Sequence, residues 1–278
     1  MFTFTLNELG QNTNTIEYEP NIPGLSKVGL NYDGFGAAIS LRNSAKELNT
    51  QKGHSQFIDV QLNYHNTIWG IDLYYQKYSG FFIKNSNQLG QNNGSFFLLP
   101  DLNFAHHGIM GRYSLTKSDF SLSGLMNQSD NVKETSGQYF VVGGIQQYRL
   151  DSDQTIVPTS LLGRNEDMDK LRELRTISLN IGLGAGKYWV SDSHYFIGTL
   201  LDVIGTLGLY DYKLTDKTLH SSYATISYNL KVGLGYAGES WKYGLSFYND
   251  VTTVKGLNHS YLKPLAGSLL LYLRYSFK

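Results

Sequence analysis

The sequence predicts an all-β protein: a transmembrane antiparallel up-and-down β-barrel of about fourteen strands. Three observations predict it. Apolar and polar residues alternate with period two along most of the chain. The alternating runs 176–186 and 223–236 span 11 and 14 residues. That exceeds the roughly 5–6 of a soluble strand and reaches the about 9–11 that a tilted strand needs to cross a bilayer. Finally, tight turns alternate with long polar connections, as in outer-membrane barrels.

The elements follow in order. Clear strands are expected at 24–32, 34–42, 56–65, 67–83, 104–115, 119–128, 136–149, 175–190, 194–212, 222–237, 241–253 and 266–277. In 57–65, Ile58, Val60, Leu62 and Tyr64 oppose Asp59, Gln61, Asn63 and His65. Tight turns are read at Asp33-Gly34, His65-Asn66-Thr67, Thr116-Lys117-Ser118, Asp151-Ser152-Asp153, Ser191-Asp192-Ser193 and Gly238-Glu239-Ser240. These residue types tolerate left-handed φ or bond their own backbone. Long connections are 43–55, 84–103, 163–174, 213–221 and 254–265. Twelve strands put the tight turns of the two halves on opposite sides. Two weaker strands, 154–162 and either 2–7 or 15–20, restore the phase and place both termini with the tight turns. Twelve remain if a long loop re-enters. Residues 1–23 are an N-terminal segment with a first strand or plug, and 24–278 a single barrel domain.

Composition excludes other classes. The 23 basic and 23 acidic side chains cancel, so no basic surface is available for nucleic acid. Cysteine is absent, which removes disulfides and thiolate chemistry. The most apolar stretch, 195–209, is broken by Asp202 and alternates, so no spanning helix is expected. No secretory signal is visible. An exported chain with its signal removed and a start Met added is the expectation, located in the bacterial outer membrane.

Aromatic residues make up 14% of the chain. Tyr64, Tyr75, Tyr113, Tyr148, Tyr188, Trp189, Tyr195, Tyr236, Trp241, Tyr243 and Tyr275 fall near predicted strand ends, where interfacial girdles sit. At the C-terminus, Leu269, Leu271, Leu273, Tyr275 and Phe277 alternate like the signal read by barrel-insertion machinery, although Lys278 follows the aromatic.

Several motifs carry a resemblance: Tyr18-Glu19-Pro20-Asn21, the run from Trp69-Gly70-Ile71-Asp72 through Ser79-Gly80-Phe81-Phe82, Pro100-Asp101-Leu102, Glu134-Thr135-Ser136-Gly137-Gln138-Tyr139-Phe140 and Asp153-Gln154-Thr155-Ile156-Val157-Pro158. On these the chain resembles the exported Bacteroidota family known as domain of unknown function 4421. The resemblance implies an exported barrel and brings no activity and no catalytic residue.

By parity, Arg42, Asp59, Asp72, Arg112, Asp202, Lys231, Lys242 and Arg274 face the lumen, because charge on the lipid face costs roughly 2–4 kcal/mol near the midplane. A mixed-charge lining fits a porin-like pore for small polar solutes. The same residues also fit a barrel with a filled lumen, whose role is structural, in assembly or in binding a protein partner at its external loops. Other expected contacts are outer-membrane lipid and lipopolysaccharide. A lipid-modifying enzyme is the weakest reading. His54-Ser55, His106-His107 and Asn258-His259-Ser260 supply nucleophile and base types, but strand neighbours point to opposite faces. Asp151-Ser152-Asp153 and Asn165-Glu166-Asp167-Met168-Asp169 lack full calcium-loop spacing. No cofactor or metal is expected, and no enzyme. The stretch 163–175, with Met168, Leu171 and Leu174 at helical spacing, is the only helix-like segment; it is read as a solvated charged loop, with a short external helix, partner-docking or lid element as the alternative. Glycines such as Gly182-Leu183-Gly184-Ala185-Gly186 are read as close-packing points in the wall.

Overall fold

Among the described residues, fourteen strands form one antiparallel sheet. The computed structural model describes every residue except 1, 9–14, 23, 43–48, 90–93, 117, 127–129, 131, 159–168, 252–253, 256–259 and 276–278. The strands are β1 (Phe2–Glu8), β2 (Ile16–Glu19), β3 (Leu25–Tyr32), β4 (Phe35–Arg42), β5 (Gln56–His65), β6 (Trp69–Ile83), β7 (Leu98–Ser114), β8 (Ser136–Asp151), β9 (Leu171–Val190), β10 (Tyr195–Leu214), β11 (Thr218–Ala237), β12 (Trp241–Val251), β13 (Val254–Lys255) and β14 (Ser260–Tyr275). One short helix, α1 (Leu122–Met126), lies between β7 and β8. Among the described residues no helix is long and apolar enough to cross a membrane.

From β3 to β12 each strand pairs with its sequence neighbours, and β12 continues to β14, β1 and β2. β2 returns to pair with β6, Tyr18 opposite Ile83 and Glu19 opposite Phe82. The path therefore closes into a ring through β6 at one end. That end carries the connections 43–55, 84–97 and 152–170 and is called the loop end. The turns at 33–34, 66–68, 191–194 and 238–240 lie at the other, the turn end.

Alternation sets the two faces. On β10, Phe196, Leu200, Asp202, Ile204 and Thr206 are buried inward, while Ile197, Leu201, Val203, Leu207 and Leu209 are exposed outward. The outward apolar run from Ile197 to Leu209 is bracketed by Tyr195 and Asp211. At about 3.3 Å per residue and a tilt near 40°, it spans roughly 30 Å, comparable with the apolar band of about 25 Å on spanning barrels.

The structure redraws particular strands. Within the expected strand 119–128, Leu122–Met126 is instead α1, with Phe120 and residues 122–125 buried inside the sheet, and 127–128 lie outside the described residues. Residues 154–158 are not a strand; Ile156 donates its N–H to the Leu171 carbonyl (2.8 Å) and is fully buried at the loop end, while 159–162 lie outside the described residues. Both first-strand candidates form, as β1 and β2. β1 starts opposite Ala266, part of the way along β14, rather than at the turn end. Asp151-Ser152-Asp153 falls at the loop end, because β8 starts near the turn end, Ser136 opposite Tyr188, and runs the length of the wall into it. The connection 213–221 shrinks to a tight turn, with the Leu214 N–H on the Lys217 carbonyl at 2.8 Å. Beside it Lys170 donates to Asp216 (3.2 Å), a bond that holds this exposed carboxyl below its usual pKa. The helix-like spacing of Leu171 and Leu174 belongs to β9: a register irregularity opposite Lys213 and Leu214 brings residues three apart to the same inward face. Phe277 and Lys278 lie outside the described residues.

Candidate functional site

The lumen is the candidate site, and it is filled in three layers. The loop-end layer is apolar: Tyr18, Phe104, Leu102, Ile156, Leu171 and Tyr212 are at most 2% exposed. β2 brings Tyr18 into it, where the phenol donates to the Ile156 carbonyl at 3.2 Å. The chain after β2 is tied down by Asn21. Its amide nitrogen Nδ2 donates to the carbonyls of Asn49 (2.8 Å) and Gly53 (2.6 Å), and its backbone N–H to Ser55 Oγ (2.7 Å). Ser55 in turn donates to the Gly80 carbonyl (2.6 Å). Gly80 has φ +76 and sits at the β6 register irregularity, and a Cβ there would run into the His54 carbonyl. Ser55→Ala strands a buried N–H, and a loss of about 1–3 kcal/mol in urea unfolding is expected.

The turn-end layer is a plug. The connection between β7 and β8 folds inward, and Phe120, Leu122 and Leu125 are 0%, 2% and 1% exposed. Phe120 packs 4.9 Å from Tyr188 and 5.9 Å from Phe140, ring to ring. Wall glycines make the room. A Cβ at Gly70 would strike Leu122, one at Gly186 the Phe120 ring, one at Gly198 Tyr188, and one at Gly233 would sit 3.0 Å from Leu125. Lys231 donates to the carbonyl of Met126, the last residue of α1. Gly186→Val should cost about 1–3 kcal/mol by overpacking, measured as a lower unfolding midpoint of the detergent-folded protein.

Between these layers lies a polar belt. Arg112 on β7 reaches across to β10, donating through Nη2 and Nε to Asp202 Oδ2 at 2.7 and 3.1 Å. Its Nη1 donates to Asp72 Oδ2 at 2.7 Å, and Asp72 Oδ1 lies 2.9 Å from His65 Nε2. Asp202 is 0% exposed and its Oδ1 has no hydrogen-bond partner among the described residues. Gly184 faces that oxygen and leaves space for it. Further along the belt, His106 stacks on Tyr148 with ring centroids 4.1 Å apart, and Thr206 donates to Asn180 at 2.7 Å.

The parity set is thus distributed as follows. Asp72, Arg112 and Asp202 form one network. Asp59 is buried elsewhere in the belt, accepting from Ser40 Oγ at 2.9 Å and Gln61 Nε2 at 3.3 Å. Lys231 joins the plug. Lys242 is buried near the turn end, opposite Arg274 in the ladder. Arg42 is exposed at the loop end and donates to the Ser55 carbonyl. His65 was not singled out by sequence, although it shares the parity of Asp59. Of the aromatic set, Tyr148 and Tyr188 are buried in the lumen, because their parity is that of Gln146 and Gly186. Trp69, Tyr113, Trp189, Tyr195, Trp241, Tyr243 and Tyr275 face outward.

The histidine–serine candidates do not assemble through Ser55, whose hydroxyl is committed to Asn21 and Gly80. His106 faces the lumen, and His107 lies outward beside Tyr75, with ring centroids 6.1 Å apart. Asn258, His259 and most of 165–169 lie outside the described residues. Asp151 pairs with Arg149 at 3.1 Å, and among the described residues no cluster of three metal-ligating side chains occurs.

No curated protein matches the chain. Among solved structures, the outer membrane protease OmpT from Escherichia coli aligns with a TM-score of 0.35 and 10% identity, over 99% of this chain and 96% of that one. The family described as Domain of unknown function (DUF4421) matches residues 2–277.

Proposed function

For a chain that belongs to the DUF4421 family and folds as a transmembrane barrel, we propose a bacterial outer-membrane role as a closed, internally filled barrel. It acts as a structural or partner-binding element through the connections at its loop end. The observation that carries this reading is the plug: Phe120, Leu122 and Leu125 are buried in the lumen against glycines on β6, β9, β10 and β11. A sequence selected for an open channel has no need of wall glycines fitted to an apolar occupant. The outward aromatics of the turn end, including the Trp69–Tyr113 and Trp241–Tyr275 pairs at 4.6 and 4.8 Å, suit a membrane interface on the periplasmic side.

Conductance in a planar bilayer tests it. The folded wild-type protein is expected to give no current steps over a range of voltage and salt. Steady, salt-dependent steps from the intact protein would sink the filled-barrel reading.

A second reading, a gated pore for small polar solutes, draws on the polar belt with Asp72, Arg112 and Asp202. It requires the segment that carries Phe120, Leu122 and Leu125 to leave the lumen. It predicts steps from the wild type after a voltage or partner trigger, and the filled-barrel reading predicts them only after that segment is replaced by a short turn.

A further inference from the structure

On the outer wall the ladder register sets one row of side chains apart. Lys77 on β6 faces Ala105 on β7, Ala105 faces Arg149 on β8, and Arg149 faces Arg175 on β9. Directly opposed residues share a face of the sheet, and Lys77, Arg149 and Arg175 are all exposed on the outside. Ala105 is the low point of the row. Neighbouring strands lie about 4.8 Å apart, so Lys77 and Arg149 flank a gap of roughly 10 Å at backbone level. Only a methyl group lies at its floor.

Carboxylates meet part of this charge. Arg149 Nε lies 3.1 Å from Asp151 Oδ1 and 3.1 Å from Glu173 Oε1. Those two acids face each other one row further toward the loop end, so they stand on the water side of Arg149. In the cation row itself the acid is Asp211, opposite Arg175, and His220 Nδ1 shares it at 2.6 Å.

Depth decides what the row meets. Trp69 and Tyr113 face each other near the turn end. Lys77 comes eight positions after Trp69 on β6 (77 − 69), roughly 20 Å of height at about 3.3 Å per residue and a tilt near 40°. An apolar band of about 25 Å ends near that height and headgroups begin. In the row just below, Tyr75, His107 and Gln147 stand side by side. Hydrocarbon offers their polar atoms nothing to bond, so the polar layer of the membrane reaches down to them. In the next row Leu73, Ile109 and Ile145 are exposed and apolar.

We propose that the hollow over Ala105 binds the phosphate of an anionic lipid in the leaflet at the loop end. Lys77 holds the phosphate from one side and the Arg149 guanidinium from the other, with Arg175 as the next cation along the row. Phosphate oxygens match a guanidinium fork, and cations at headgroup height attract anionic lipid. The acyl chains of a lipid seated here run down over Leu73, Ile109 and Ile145, a contact that a free phosphate lacks. The site depends on the wall's place in the membrane and not on what fills the lumen.

Native mass spectrometry tests it, on folded protein in nonionic micelles doped with equal amounts of phosphatidylglycerol and phosphatidylcholine. Phosphatidylglycerol should stay with the barrel in preference to phosphatidylcholine, and an excess of inorganic phosphate should not displace it. Lys77→Gln and Arg149→Gln should each weaken retention about tenfold, the equivalent of one charge-assisted hydrogen bond. Lys77→Arg should keep it, and so should Lys170→Gln, which removes the loop-end cation bonded to Asp216. Ala105→Phe leaves every charge in place and fills the hollow, so it should release the lipid even if the charge variants fail to fold. Heat-modifiable gel mobility reports folding in each case. Equal retention of the two lipids, displacement by inorganic phosphate, or a folded Ala105→Phe protein that still holds phosphatidylglycerol would each overturn the proposal and leave the filled-barrel reading standing. Current steps from the wild type would do the reverse.

Discussion

Arg112→Leu is expected to lower the unfolding free energy of the barrel by about 3–5 kcal/mol, the cost of removing one partner from a buried ion pair. The reason is local. Asp202 is 0% exposed, and its Oδ2 takes two hydrogen bonds from this one guanidinium. Its Oδ1 has no partner among the described residues to compensate. Without Arg112 a carboxylate stays in the lumen with no cation, and Asp72 loses its 2.7 Å bond as well. Arg112→Lys should recover only part of the loss, because an ammonium cannot place three donors on two carboxylates in a plane. Replacing the set together, Asp72→Asn with Arg112→Met and Asp202→Asn, should be milder than Arg112→Leu alone, since no charge is then left unpaired. Urea unfolding followed by gel mobility reads all three. An Arg112→Leu protein as stable as the wild type would mean that the network is solvated rather than buried.

Phe120→Ala is expected to cost about 3–5 kcal/mol, the usual range for emptying a buried aromatic site. The plug has little freedom to collapse into the gap. Its residues are held between Tyr188, Phe140 and the strand backbone at Gly186. The same geometry predicts coupling. Gly186→Val is harmful while the Phe120 ring is present, but in Phe120→Ala it fills the vacated space. The double variant should therefore be more stable than the sum of the single losses by about 0.5–3 kcal/mol, the range for residues in contact. Simple additivity would place Phe120 away from Gly186 and undo the description of the plug.

Most of the wall was legible in the sequence because its period is a direct consequence of strand geometry. Ile177, Leu179, Ile181 and Leu183 had to share a face once they were on a strand, and all four are exposed outward. The plug was not legible. Phe120 and Leu122 alternate with Ser121 and Ser123, and over so short a window a strand and a helical turn place apolar residues alike. Leu125, three positions beyond Leu122, was the available sign of a turn. Leu171 and Leu174 misled in the opposite direction, since an irregular register gives a strand the spacing of a helix. Parity also established that Arg112 and Asp202 both point inward, but not that they meet. They are 90 positions apart on strands that do not pair, and their contact depends on depth across the lumen, which no local pattern encodes.

The plug's attachment also limits the order in which the molecule can be assembled. Its segment is tied at one end to β7 and at the other to β8, in the middle of the chain, while its contacts reach β6, β9, β10 and β11. Because both ends of the segment are anchored at the turn end, it enters the lumen only as a loop through that mouth. Entering while the sheet is still curling gives Phe120 and Leu125 the part of a former for the curvature of the strands around them, so a chain whose former is defective should close its wall more slowly.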